Sequence, residues 1–459
     1  MPAYKTPGVY VEESPSLPPT VVPVPVAIPV FIGYTEYATD AQGVSLTKVM
    51  TRITSLVEYE TLFGRAPVQV ANITVDQRSG VNPGFEVRWT DAPPRPTDLL
   101  YYTLQLYFAN GGGSCWIYSI DPHGTPLRKE DFTSAITIIE DWDEPTLLLF
   151  PDATRLSDED YGFVLSFALS SCARQRNRFT IADVPRAEAE GTTPALVTRN
   201  FRNHVAGTIE QLGYGAAYFP YVQTLVPFRF DDESVHLTAF TKNGVSIAVP
   251  AVHHAIRAFL DAACVTLPAS GGIAGIHAQM GRTRDVWKAP AGMPLALVLR
   301  PAIGVTDEQQ STLNVDVETG KSVNCLRAFS GRGTLVWGAR TLAGNDNEWR
   351  YINVRRLASF IEASVGKAMH AFAFEPNTAS TWTRVRAMIA DFLTRLWQDG
   401  ALTGMKPDEA FHVDVGLGTT MTAQDVLDGI LIVEVRIAVI RPAEFIVLRL
   451  RQQMLNAYP

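Results

Sequence analysis

A mixed α/β fold is predicted for this chain from three observations. Helical and strand-like segments alternate between residues 99 and 344, the pattern of layered α/β architectures. Residues 350–459 change texture to two long amphipathic helices followed by short strands. The first thirty residues hold eight of the 30 prolines, at positions 2, 7, 15, 18, 19, 23, 25 and 29, and fit neither pattern.

The N-terminal segment comes first. Each proline removes a backbone donor and fixes φ, so the segment is expected to be neither a helix nor a central strand. An extended arm fits better, because Thr20 to Gly33 (TVVPVPVAIPVFIG) still places apolar side chains at strand spacing and proline tolerates a sheet edge. Next, Ile53 to Gly64 (ITSLVEYETLFG) carries Leu56, Tyr59 and Phe63 at helical spacing, with Ser55 as cap and Gly64 as terminator. Between residues 65 and 98 five prolines surround two alternating stretches, Ile73–Asp76 and Phe85–Thr90, which read as a hairpin inserted on the surface of a larger unit.

Within residues 99–344, helices are expected over Leu99–Ala109, Phe132–Trp142 and Tyr161–Arg174. Strands are expected at Cys115–Ile120, Thr146–Phe150, Arg178–Val184, Ala216–Pro220, Pro294–Leu299 and Thr334–Trp337. Further on, Asn353–Met369 is an amphipathic helix leading into a strand at Ala371–Glu375. A second helix runs from Thr378 to Asp399, capped by Asn377 and stopped by Gly400. Three strands close the chain: Phe411–Val415, Ile430–Ile440 and Glu444–Arg451. In the second of these, Leu431, Val433, Val435, Ile437 and Val439 share one face, opposite Glu434 and Arg436. Pro442 precedes the last strand, so the connection is either a tight corner or a strand that leaves its sheet.

Composition narrows the function classes. With 459 residues, two or three domains are expected, and 46% apolar against 19% charged residues is an ordinary globular balance. A net charge of -8 lacks the basic footprint of nucleic-acid binding, so DNA is a poor partner. Cys115, Cys172, Cys264 and Cys325 lack the close C-x-x-C spacing of most zinc or redox sites and read as buried thiols of a reducing compartment. The opening MPAYKTPGVYVEE has no apolar core behind a basic start, so cytoplasmic synthesis is expected. Glu434 and Arg436 interrupt the longest C-terminal apolar run, well short of the roughly 20 residues of a membrane helix, and no span is predicted.

The chain has no GxSxG elbow, HExxH helix or Walker A loop. Gly366-Lys367 lacks the upstream glycine of a phosphate loop, and Gly331-Arg332-Gly333 precedes a strand where a dinucleotide fingerprint would follow one. His253-His254 point about 100° apart on a helix and suit a surface role better than shared metal ligation. The acidic groups Asp141, Asp143, Glu144 and Asp158, Glu159, Asp160 read as solvated helix-terminal acids. No catalytic, metal or cofactor residue is assigned, and no enzyme activity is expected.

An ordered series of motifs instead resembles the phage tail sheath family, which includes the sheaths of extracellular contractile injection systems. The series runs from Tyr4-Lys5-Thr6-Pro7-Gly8-Val9-Tyr10-Val11 through Tyr101–Ile120 (YYTLQLYFANGGGSCWIYSI), Arg178–Pro185, Tyr214–Tyr221 and Gly281–Gly292. It ends in YINVRRLASFIEASV, FEPNTASTWTRVRAMIADFLTRLWQDGALTG and PAEFIVLRLRQ. The 65–98 insertion and the loop at 305–324 depart from the family pattern.

The resemblance implies a structural subunit of stacked hexameric rings around an inner tube, part of a phage tail or tail-like particle assembled in the bacterial cytoplasm. Its implied architecture is an extended N-terminal arm over residues 1–34, an outer α/β domain over 35–344 carrying the insertion, and a tube-proximal core over 345–459. The core would be built from the arm and the C-terminal region. Implied partners are copies of itself, the inner tube protein, baseplate and terminal cap proteins, and other sheath paralogues. The arm residues Tyr4, Thr6, Pro7, Gly8, Val9, Tyr10 and Val11 and the C-terminal strand Phe445, Ile446, Val447, Leu448, Arg449 and Leu450 would add strands to neighbouring subunits. In the helix Thr378–Asp399, Arg384, Asp391 and Arg395 lie on one face at spacings of seven and four and would meet the tube.

Overall fold

The computed structural model describes residues 20–78, 84–187, 193–241, 250–282 and 286–445. They fall into two units: Pro25–Phe360 with Arg441–Pro459, and Met1–Val24 with Ile361–Ile440.

The first unit opens with β1 (Pro29–Thr35), β2 (Met50–Ile53) and α1 (Leu56–Phe63), then the hairpin β3 (Ala71–Arg78) and β4 (Gly84–Trp89). Helix and strand alternate through α2 (Leu100–Ala109), β5 (Cys115–Pro122), α3 (Lys129–Ile139), β6 (Leu147–Leu149), α4 (Asp158–Gln175) and β7 (Phe179–Asp183). There follow α5 (Pro194–His204), α6 (Ile209–Leu212), β8 (Gly215–Phe219), β9 (Val222–Pro227), β10 (Val235–Thr241), α7 (Pro250–Asp261) and β11 (Cys264–Leu267). The series ends in α8 (Ser270–Arg282), β12 (Val298–Pro301), α9 (Asp307–Asn314), β13 (Val323–Phe329) and β14 (Gly333–Trp337).

Eight of these strands form one sheet in the order β14-β13-β8-β7-β6-β1-β5-β2. The six inner strands are parallel and the two edges antiparallel. Helices cover both faces. Phe132 and Ile136 of α3, Leu165 and Leu169 of α4 and Phe201 of α5 pack with Val30, Ile32, Leu148 and Phe219. On the other face Tyr59 of α1, Leu104 and Tyr107 of α2 and Ile273 of α8 pack with Phe31, Leu147, Leu149 and Ile181. Burial on both faces is why these strands read as continuous apolar runs rather than as alternation.

The position of β1 corrects the expectation for the arm. Residues 1–19, including Tyr4 to Val11, lie outside the described residues, but Pro29–Thr35 is an interior strand between β5 and β6, buried along its whole length. The proline argument fails here for a local reason: Pro29 is the strand's first residue, where a missing donor costs no ladder bond, and Val30 onward keeps every N–H.

The inserted hairpin is present, with β3 and β4 antiparallel, and β10 joins β3 in parallel. Ile73 and Val75 pack there with Val252, Ile256 and Leu260 of α7, and the Trp89 and Phe259 rings lie 4.9 Å apart. Farther on, the strand expected at Pro294–Leu299 forms later, at Val298–Pro301.

Helix α10 (Ile352–Met369) contains the division between the units. In the second unit come α11 (Ala379–Gln398), α12 (Pro407–Ala410), β15 (Phe411–Val415), α13 (Ala423–Leu427) and β16 (Val433–Ile437). The strand expected at Ala371–Glu375 is instead a 3-10 turn at His370–Phe372 followed by irregular chain, with Phe374 at φ 68. Its alternating text AFAF matches strand spacing, but it continues straight on from α10 and pairs with no strand among the described residues.

Candidate functional site

In the second unit, α11 owes its length to a twenty-residue run without glycine or proline and to a clean stop. Gly400, at φ 82, lets the chain turn back so that Ala401 N–H reaches Leu396 O at 2.9 Å and Gly400 N–H reaches Trp397 O at 3.0 Å. At the other end the cap residue is Thr378, not Asn377. Asn377 Oδ1 instead accepts from Trp382 Nε1 at 2.6 Å, and its Nδ2 donates to Ile430 O at 3.0 Å. Val385, Met388, Ile389, Phe392, Leu393 and Leu396 form the buried face. Trp382 is half-buried at its margin.

Arg384, Asp391 and Arg395 are brought onto one exposed stripe, as their spacing predicts. At about 100° per residue the three fall within an arc of about 40°, and the arginines stand about 16 Å apart along the axis. The stripe is already paired within the chain. Arg384 lies 3.2 Å from Glu375 with its guanidinium over the Phe372 ring, and Arg395 lies 2.7 Å from Asp391. Two cations and two anions make it locally neutral, and because all four groups are at least one-third exposed, each pair is weak and exchangeable.

Beside this helix, β15 and β16 form a two-stranded antiparallel sheet. Val413 and Val415 are buried on one face with Val433, Val435 and Ile437 half-buried, while His412, Asp414, Glu434 and Arg436 populate the other. Asp414 accepts from Arg436 and lies 3.1 Å from His412, and the Arg436 hydrogen bond chiefly holds its carboxyl below the usual range. No third strand pairs with either β15 or β16 among the described residues; at the end of β15 Arg386 Nη2 donates to Val415 O at 2.6 Å, and elsewhere the outer edges carry no further ladder among those residues. An open edge of N–H and C=O groups is a template for another strand.

Of the predicted C-terminal strand only Phe445 is described, and it is exposed; Ile446 to Leu450 lie outside the described residues. Its neighbour Glu444 is a functional candidate that spacing could not reveal. The Glu444 carboxylate accepts from Arg340 Nε at 2.9 Å and Nη2 at 2.7 Å, from Asn314 Nδ2 at 2.6 Å and from the Tyr351 hydroxyl at 3.1 Å. Burial alone would raise this carboxyl, but the hydrogen bonds and the Arg340 charge outweigh it and hold it below the usual range. A glutamate in the closing PAEF motif was the only sequence signal, and its partner lies 104 residues away.

The eight-stranded sheet has its own candidate position. Its order reverses between β1 and β6, and in doubly wound sheets ligands bind outside the carboxyl ends of the strands at such a switch point. Here a side chain of the protein fills it. Asp152, wholly buried, accepts from Tyr34 N–H at 3.0 Å and from Leu99 N–H, at the start of α2, at 2.5 Å. Gly33 makes room, since a Cβ there would stand 2.3 Å from Asp152 Oδ2. Burial, reinforced by the charge of Asp98, pushes the Asp152 carboxyl up to about 7.

The remaining residues weighed for chemistry have structural surroundings. His253 and His254 are exposed on α7, Asp158 to Asp160 form the first turn of α4 behind its N-cap Ser157, and Glu144 holds Trp116 Nε1 at 3.0 Å. Cys115, Cys172 and Cys325 are buried free thiols and Cys264 is half-buried, all pushed up by burial. Among the described residues no group of three His, Cys, Asp or Glu could hold a metal, and no helix is long and apolar enough to cross a membrane.

A self-filled α/β body and a helix-backed sheet with open edges define an assembly subunit. Comparison with known proteins agrees: the family model of the phage tail sheath C-terminal domain matches residues 344–453. The chain is 30% identical to a chain of the sheath complex of an extracellular contractile injection system, PVC, in the contracted state, covering 99% of each with a TM-score of 0.68. It is 32% identical to a chain of the six-fold symmetrised baseplate of the anti-feeding prophage, covering 98% of this chain and 100% of that one, with a TM-score of 0.64. The tail sheath protein of Enterobacteria phage T4 is 26% identical over 130 residues, 28% of this chain and 19% of that protein, so the match spans about a fifth of the phage protein. This chain belongs to the tail sheath family, with the sheath proteins of contractile injection systems.

Proposed function

We propose that the chain is a sheath subunit that assembles as stacked hexameric rings around an inner tube and shortens to drive the tube through a target envelope. The observation that carries this reading is the two-stranded sheet β15–β16, neither strand of which pairs with a third strand among the described residues. A strand donated by a neighbour at each edge would turn a marginal two-stranded sheet into a four-stranded one. Main-chain hydrogen bonds of that kind tolerate tilting, which a shortening array requires. The six-fold symmetry of the anti-feeding prophage relative supports rings of six.

In this reading the unit Pro25–Phe360, with β1 as an interior strand, forms the outer domain in place of residues 35–344, and Ile361–Ile440 with the arm forms the tube-proximal core. Arg384, Asp391 and Arg395 exchange their internal partners for charged groups of the tube. The energy of contraction comes from repacking of subunits, a bistable interface repeated along a filament. The Asp152-filled switch point supports a structural rather than a catalytic body. Assembly takes place in the bacterial cytoplasm, with the tube, baseplate and terminal cap proteins as partners.

A second reading, a sheath paralogue seated at the baseplate, is favoured by the match to a baseplate chain. Negative-stain microscopy of the purified chain separates the possibilities. Hollow cross-striated cylinders support the first, single rings that form only with baseplate proteins support the second, and monodisperse monomers under assembly conditions sink both.

A further inference from the structure

The two ends of the chain leave the α/β unit through segments with little backbone pairing: at the N-terminal end the ladder holds only as far as Ile28, whose O accepts from Thr146 and Leu147 N–H at 2.9 and 3.2 Å. Residues 441–445 belong to no strand or helix and include Pro442, which has no N–H. At the other end Pro23, Pro25 and Pro29 strip donors from the stretch that precedes β1. Each root is fastened instead by a buried arginine, and both arginines come from one short stretch of chain.

At the C-terminal root Arg340, whose side chain is 5% exposed, forms a two-nitrogen clamp on Glu444 and spends Nη1 on Gly344 O at 3.2 Å and Asn314 O at 3.3 Å. At the N-terminal root Arg356 of α10 donates through Nη2 to Val26 O at 2.7 Å and through Nη1 to His277 Nδ1 at 2.5 Å. Burial, then the Arg356 charge, pushes His277 well below its ordinary value, so its ring stays neutral and can accept. A carbonyl is what a proline-rich segment still has to offer, and a guanidinium is the donor that reaches it.

Residues 339–356 join the two fasteners. Arg340 bridges Tyr351, Ile352 N–H reaches Ala339 O at 3.0 Å, and Thr341 N–H reaches Arg350 O at 2.8 Å. The Arg355 guanidinium is stacked 3.9 Å from the Trp349 ring centroid and 4.4 Å from that of Tyr214. The Tyr351 hydroxyl itself donates to Glu444, and Tyr351, just before α10, stands five positions, about 7.5 Å along the axis, from Arg356.

We propose that residues 339–356 are a tie that carries tension between the two terminal segments, with Arg340 and Arg356 as its positioning residues. A pull on one linking segment then passes to the other through desolvated, charge-assisted hydrogen bonds that must break together, and spares the α/β sheet. This rests on the sheath reading above, in which both ends join neighbouring subunits.

The test uses the full chain with Glu444→Gln, Arg356→Met and the pair combined. In the unassembled protein, exchange of the Arg340 Nε–H, held by Glu444, rises about tenfold in Glu444→Gln, and exchange of the Ile28 N–H, held by Thr146 Oγ1, rises likewise in Arg356→Met, while exchange in β1 and β7 is unchanged. In assembled sheaths, extended cylinders keep wild-type length, whereas contracted ones break into short stacks. Elements in series fail at the first break, so the double variant breaks no more than either single one. Tyr351→Phe, which removes one of the four bonds to Glu444, gives an intermediate result and serves if Glu444→Gln fails to fold. Unchanged exchange at both roots, contracted cylinders of wild-type length, or additive breakage in the double variant overturns the tie. If a chain lacking residues 446–459 still forms contracting cylinders, the strand-linked sheath reading fails instead, whatever the exchange at the roots shows.

Discussion

The eight-stranded sheet and the two-stranded sheet of this chain treat faces and edges in opposite ways. In the first, β1, β7 and β8 are buried along their whole length, helices cover both faces, and even the ligand position at the switch point is occupied by Asp152. In the second, β16 alternates half-buried and exposed residues and neither edge has a further strand among the described residues. One sheet is completed by its own described strands, and the other is, in the proposed reading, completed by a neighbour's strand. Substitutions in the first should therefore register as lost folding, and substitutions around the second as lost assembly.

The largest effect is expected at Gly33. In Gly33→Ala the new Cβ would stand 2.3 Å from Asp152 Oδ2 and 3.2 Å from Leu100 Cβ, so the carboxylate must move off the N–H groups of Tyr34 and Leu99. Leaving two buried donors unpaired costs about 1–3 kcal/mol each, a large fraction of what holds a domain together. Denaturant titration of the unassembled chain should show this loss. A midpoint equal to wild type would mean that the filled switch point is not structural.

Acidity separates the two sheets in sign. Burial pushes Asp152 and Asp183, at the carboxyl ends of β6 and β7, up to about 7, whereas an unfolded aspartate titrates near 4. Between those values the folded state binds more protons, so their contribution to stability falls as pH rises from about 4 through about 7. Asp414 on β15 is lowered, and its contribution is present above about 4 and lost on further acidification. The unassembled chain should melt higher at pH 6 than at pH 8. Asp183→Asn, which keeps an oxygen for the Ser270 N–H, should flatten that slope; a slope unchanged in this variant would remove Asp183 from the account.

How far these sheets could be read in advance follows the same division. Periodicity and caps are local, so α1 with Ser55 at its start, the alternation of β16 and the stripe of Arg384, Asp391 and Arg395 were all legible. The 30 prolines carried less information than their number suggests. What matters is where each one falls, and Pro29 at a strand start hid an interior strand. Asp152, Arg340 and Arg356 were not legible, because Leu99, Glu444 and Val26 lie 53, 104 and 330 residues from them and a lone acid or arginine has no period. The text AFAF after α10 has strand spacing, but a strand needs a neighbour, and spacing alone cannot supply one.

The smallest effect on folding is expected on the α11 stripe, where the effect on assembly should be among the clearest. Arg395 is half-exposed and its pair with Asp391 is an exposed contact four residues apart. Such pairs are worth about 0.2–1 kcal/mol, and Arg395→Glu replaces attraction by a repulsion of similar size, so the melting temperature should move little. If the stripe meets acidic groups on the tube, the same reversal sets like charges against each other at every subunit of the array, and co-assembly with the inner tube should fail. Because these contacts are screened, weakening by salt should be steeper for wild type than for Arg395→Ala. Sheaths of Arg395→Glu that still grip the tube would remove Arg395 from the contact. An unchanged melting temperature with lost tube binding would place the residue on the open, partner-completed side of the molecule.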